Sequence, residues 1–215
     1  MTGLVLALTL IAGGFTSEYP RETESAVRWC TKNPWAAQEL EQSIGAEAAL
    51  WALSIVAPEI GQWGSLRTKI EYGTLYNLYI HYGKGDFSVG PFQMKPSFAE
   101  DMESRHPELA ITAENEKETR YVRLGRMSSA EGQLPYLAAF MKEARRIVDA
   151  WGVDNPDEAF LYMATLYNGG LGISREKADD LMAGASFPRF GVQKFNYAKA
   201  AAEFIPLLHN CLNGQ

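Results

Sequence analysis

Hydrophobic and polar positions divide this chain into helix-length blocks. Residues 46–57 (AEAALWALSIVA) are apolar almost all round, the pattern of a helix buried on every side. Pro58 follows. It has no N–H and disfavours helix in the residue before it, so the helix is expected to end or kink there, with Glu59 just beyond. Residues 70–82 carry Tyr72, Tyr76, Tyr79 and Tyr82 at helical spacing, until Gly83-Lys84-Gly85 breaks the pattern. Residues 156–167 place Phe160, Leu161, Met163, Ala164 and Tyr167 on an apolar face, ending at Gly169-Gly170.

Start signals sharpen the boundaries. Asn33-Pro34 and Asn155-Pro156-Asp157-Glu158 put a cap residue before a proline at the first helical position, the second with acids in the first turn. Ser97 with Glu100, and Ser128 with Glu131, read as capping boxes. Further helices are expected over 115–125, 128–151, 174–182 and 196–211, whereas the polar residues 15–29 read as irregular and 61–68 as a connection. Short extended pieces are confined to 86–94. The fold class is therefore mostly α, with a minimal β part.

Composition adds bounds. The chain has 215 residues, 47% hydrophobic and 21% charged, which suits one domain with a sizeable core. The net charge of −6 provides no basic stripe to neutralise phosphates, so nucleic acid is not the expected partner. Lys142, Arg145 and Arg146 lie among acids and read as a solvated helix face. The apolar run at residues 4–12 is too short to span a bilayer as a helix. It resembles the core of a secretory signal peptide, although no Lys or Arg precedes it. The expected division is thus a candidate signal peptide, 1–14, and one domain, 15–215, with no integral membrane segment in the mature chain. Cys30 and Cys211 lie near opposite ends. In an exported protein they either form a disulfide or remain two unrelated thiols. His81, His106 and His209 are scattered at no metal-ligand spacing, and neither a metal nor another cofactor is expected.

The chemistry concentrates in two short stretches. In Asp86–Glu100 (DFSVGPFQMKPSFAE), the turn at Gly90-Pro91 leads into Phe92-Gln93-Met94 and a helix start. Gln93, an amide between apolar neighbours, either satisfies loop backbone or offers donors and an acceptor to a sugar. Gly90, Phe92, Gln93, Met94, Pro96, Ser97 and Ala99 resemble the Gly-Leu-Met-Gln-x-x-Pro-x-Thr-Ala segment of soluble lytic transglycosylases and goose-type lysozymes. Downstream, Ala164-Thr165-Leu166-Tyr167-Asn168-Gly169-Gly170 is similar to that family's Ala-x-x-Tyr-Asn-x-Gly motif, and Phe195-Asn196-Tyr197-Ala198 resembles its last motif.

The resemblance implies a lysozyme-like fold and cleavage of the β-1,4 bond between N-acetylmuramic acid and N-acetylglucosamine in peptidoglycan, outside the cytoplasm of a bacterium. It implies a catalytic Glu at the end of the buried helix, which points to Glu59. Desolvation and the helix C-terminal dipole would both favour the protonated form that a general acid needs. Tyr167 would orient that Glu, Asn168 and Gly169 would form the tight turn, and Gly90, Phe92, Gln93, Met94 and Tyr197 would line the glycan site. Two departures stand out. Glu59 is followed by Ile60 where the family has Ser, and the gap from Glu59 to Gly90 is longer than the family's. Glu71, closer to Gly90, is the rival acid. A lysozyme or chitinase-type hydrolase and a non-catalytic glycan-binding protein on the same scaffold remain the alternatives. A hydrolase needs a second carboxylate to activate water, for which Asp86 and Glu71 are the nearby candidates.

Overall fold

The apolar helix forecast over 46–57 is the axis of the molecule. A computed structural model describes residues 13–63, 73, 76–188, 191 and 193–213. Within these, the helices are α1 (Phe15–Glu18), α2 (Pro20–Lys32), α3 (Pro34–Ile44), α4 (Ala46–Gln62), α5 (Pro96–Arg105), α6 (Glu116–Met127), α7 (Ala130–Ala150), α8 (Pro156–Gly169), α9 (Arg175–Ala183), α10 (Tyr197–Ala202) and α11 (Phe204–Asn213). Residues 76–82 are also helical. Extended pairing among the described residues is limited to two isolated antiparallel bridges, Val89 with Met94 and Phe187 with Phe195. The first lies where extended structure was expected; the second was not foreseen. The chain forms a single, mostly helical domain.

α4 packs against α2, α3, α7, α8, α10 and α11, which is why its residues are apolar on every side. Ala52 to Ala57 are all buried. Of the two outcomes expected at Pro58, an end or a kink, the helix does not end there but runs on to Gln62. Packing outweighs the proline. Ile60 is buried one turn beyond Val56, and Gly61 lies so close to α2 that a Cβ there would sit 2.5 Å from the Glu22 carbonyl. Glu59 therefore lies inside the last turn of α4.

Other expectations need correction. Residues 15–29 are helical, not irregular. Tyr19-Pro20 starts α2 with proline at the first position, and only a narrow stripe, Ala26 and Cys30 at i,i+4, is buried; the polar remainder disguised it. α7 is capped by Ser129, whose Oγ accepts from Gly132 N, rather than by Ser128. Ser97 caps nothing: α5 starts at Pro96, and Asp86 Oδ1 accepts the Ser97 N–H at 3.2 Å. The expected helix over 196–211 is two helices, α10 and α11. By contrast, Asn155 caps α8 as expected, accepting from Asp157 N and Glu158 N. The candidate signal peptide falls almost wholly on residues 1–12, outside the described residues. Among the described residues no helix is long and apolar enough to cross a membrane.

Candidate active site

Four segments far apart in sequence meet at the C-terminal turn of α4. The first is Glu59. Glu59 is half-buried, and desolvation there pushes its carboxyl pKa up to about 7. Burial is the cause, and among the described residues no second carboxylate contributes.

The second segment is the turn at Gly90. Gly90 has φ +70°, and a Cβ there would lie 2.2 Å from the Met127 carbonyl oxygen, so only glycine fits. Val89 N–H donates to Met94 O at 2.8 Å across the base of the turn. Gln93 adopts φ +53°, and its Nε2 donates to Gly90 O at 2.7 Å. One amide hydrogen is thus engaged within the turn, leaving the other hydrogen and the carbonyl oxygen as what Gln93 can present to a ligand. Both readings of Gln93 are compatible. Phe92 and Met94 are buried, and Phe92 packs on Trp29 with ring centroids 5.7 Å apart.

Tyr167 and Tyr197 supply the third and fourth segments. Tyr167, near the end of α8, donates its hydroxyl proton to Phe92 O at 2.7 Å, and Tyr197, at the start of α10, donates to Ile55 O at 2.8 Å. The two rings stack at 6.4 Å. Phe98 and Phe140 contact Tyr167 edge-on, at 5.8 and 5.2 Å. Burial raises both phenol pKa values well above their ordinary value, and the nearby Glu59 raises them further. The single proton of Tyr167 goes to Phe92, so its oxygen can offer Glu59 only a lone pair, which the protonated carboxyl alone can use. This differs from a tyrosine that donates to the acid.

The remaining candidates fall as follows. Asn168 is exposed in the last turn of α8, and the tight turn comes later, at Gly170, with φ +94°. Gly169 packs closely on α9: a Cβ there would meet Leu181 Cδ1 at 2.8 Å, a side-chain end that can shift. Tyr197 is buried beneath Glu59 rather than lining open space, and Asn196 caps α10 while its Nδ2 donates to Leu181, Met182 and Gly184 carbonyls. Asp86 is exposed, engaged by Ser97 N and by Lys95 at 3.6 Å. Glu71 lies outside the described residues. Cys30 and Cys211 are free thiols on α2 and α11, two helices that pack together; burial, and secondarily Cys211, pushes the Cys30 thiol up to about 12.

Sequence reasoning missed Gln133. It is fully buried in the first turns of α7, its Oε1 accepting from Phe92 N at 2.9 Å and its Nε2 donating to Val89 O at 2.7 Å. The available signal was an amide on the core stripe formed by Ala130, Leu134 and Leu137.

A cavity of about 560 Å³ lies elsewhere, among Ile44, Glu47, Trp51, Met141 and Met163. It adjoins the N-terminal half of α4, roughly 12–18 Å along the helix from Glu59. Its rim cation Arg145 is paired with Asp149 at 2.8 Å. Among the described residues no group of three or more His, Cys, Asp or Glu could hold a metal ion. The chain matches no protein-family model, no curated protein and no solved structure.

Proposed function

We propose that the chain is an exported bacterial enzyme that cleaves peptidoglycan at the β-1,4 bond between N-acetylmuramic acid and N-acetylglucosamine. The carrying observation is Glu59: a half-buried carboxyl with its pKa raised to about 7, set against Tyr167, which reaches the Gly90 turn through Phe92. Glycosidic cleavage requires a carboxylic acid still protonated near neutral pH to donate to the leaving oxygen. Glu59 meets that requirement by burial alone. After donating, the carboxylate takes the proton of the attacking hydroxyl, because the same group must serve as base on the way out.

The outcome follows from the number of carboxylates. Hydrolysis normally uses a second acid to hold or activate water. Asp86 is committed to the start of α5, and no other carboxylate among the described residues bears on Glu59. Among the described residues the centre has one carboxylate, which favours attack by the muramyl 6-hydroxyl, giving a 1,6-anhydro end, and so supports a lytic transglycosylase over a lysozyme. Digestion of purified sacculi, followed by mass spectrometry, tests both parts. Anhydro-muropeptides are expected. Products heavier by one water overturn the transglycosylase assignment, and tight binding to sacculi without release of fragments overturns catalysis.

A further inference from the structure

The Gly90 turn is clamped from outside the motifs that drew attention to it. Gln133 grips both sides of the turn with one amide: its oxygen holds the N–H of Phe92 and its nitrogen holds the carbonyl of Val89. Gly90 lies against the amide itself, since a Cβ at that position would be 2.8 Å from Gln133 Nε2 and 2.9 Å from its Cδ. The other end of residue 92 is held from α8, where Tyr167 donates to the Phe92 carbonyl at 2.7 Å. Residue 92 is thus fixed at its N–H by α7 and at its C=O by α8. Titratable neighbours of Glu59 among the described residues are Tyr167 of α8 and Tyr197 of α10.

We propose that Gln133 is a positioning residue for the Glu59 centre, holding the Phe92 carbonyl where it fixes the Tyr167 hydroxyl beside the carboxyl. This role rests on the reading of Glu59 as the general acid. The physical case is that a backbone carbonyl is a fixed point only if its own peptide cannot shift. A buried glutamine that satisfies a donor and an acceptor on either side of a turn leaves that turn a single arrangement. An apolar residue of the same size would leave the Phe92 N–H and the Val89 carbonyl without partners, and the turn would move to reach water. The Phe92 carbonyl would move with it, Tyr167 would lose its anchor, and more water would reach Glu59. Less desolvation then lowers the Glu59 pKa towards that of an ordinary carboxylate.

The test is Gln133→Met, of similar length and without an amide, in the full chain. Carboxyl ¹³C NMR titration of glutamate-labelled protein, with the Glu59 signal assigned by its loss in Glu59→Gln, reads the acid directly whether or not the protein cleaves glycan. The expected result is a fall in the Glu59 pKa by about one unit. On sacculi, kcat should drop roughly tenfold, with KM changed far less, because orientation and not binding is lost. Gln133→Glu keeps the acceptor for Phe92 and should give a smaller fall, and it answers the question if Gln133→Met does not fold. An unchanged Glu59 pKa in a folded variant overturns the proposal and leaves Gln133 a purely structural residue. A shifted pKa in a protein whose wild type releases no fragments upholds the coupling and removes the glycosidase reading instead.

Discussion

Two glutamates in this protein are partnered in opposite ways. Glu103, on α5, is embraced by the buried guanidinium of Arg123, with Nε at 3.0 Å from both carboxylate oxygens and a terminal nitrogen at 2.6 Å, and it accepts the Tyr136 hydroxyl at 2.7 Å. Arg123 also reaches Glu100 at 2.9 Å and the Tyr79 hydroxyl, stitching helix 76–82, α5, α6 and α7 together. Among the described residues Glu59 has no such cation; Tyr167 and Tyr197 are its titratable neighbours, and its pKa rises through burial. The contrast separates two uses of one side chain. A paired carboxylate is committed to structure. An unpaired one is a standing cost to the fold when ionised, and can exchange a proton near neutral pH.

The largest expected effect sharpens that contrast at Glu59. Glu59→Gln should reduce release of fragments from sacculi by about 10³-fold or more, the scale of losing general acid–base catalysis, while leaving the circular dichroism spectrum unchanged. Full activity in Glu59→Gln, with loss in Glu71→Gln, would transfer the acid role to the rival carboxylate. At the other glutamate, Arg123→Met should cost about 3–5 kcal/mol in denaturant unfolding, because Glu103 is left buried and unpaired. That variant should leave the Glu59 titration where it was.

A third test uses pH. The Glu59 pKa is raised from about 4.5 in the unfolded chain to about 7 in the folded one, so the folded state binds the extra proton across that window. Stability therefore declines as pH rises from about 4.5 to about 7, by up to about 3 kcal/mol from this group, less for its partial exposure. Glu59→Gln should abolish that portion of the decline and melt higher than wild type at pH 8. A parallel pH profile in the two proteins would show that Glu59 does not titrate in this range. The smallest expected effect is at Tyr167→Phe, which strips the Phe92 carbonyl of a buried donor. It should cost about 1–3 kcal/mol in unfolding and lower turnover without changing sacculus binding.

Much of this arrangement was legible in the sequence, and the gaps have physical causes. The buried character of α4 was plain from residues 46–57, and Asn155-Pro156 marked the start of α8, because both signals are local. The run of α4 through Pro58 was not legible, since it depends on Ile60 and Gly61 finding partners on α2 and in the core. The Gly90 turn could be read from Gly-Pro, yet what holds it could not, because Gln133 lies forty-odd residues away and reveals itself only as an amide on an apolar stripe. Likewise Ser97 offered a plausible capping box, but Asp86, eleven residues earlier, took the N–H instead. Local rules place caps, while competition among distant partners decides which cap is used.

Glu203 carries a consequence for the order of assembly. Its carboxylate accepts the backbone N–H groups of Phe15 and Thr16, at 3.0 and 2.8 Å, and the Thr16 hydroxyl at 2.7 Å. Beside this clasp Phe15 is fully buried against Tyr19, Phe187, Phe195 and Phe204. Helix α1 thus waits for residues 187–204 to be made before it can be covered. Synthesis and folding are decoupled: a growing chain keeps Phe15 uncovered until that distant segment has emerged, a long-range closure of the kind that slows folding. Ribosome-held chains ending before residue 187 should be cut by protease within residues 13–32, and chains extending well past 204 should resist.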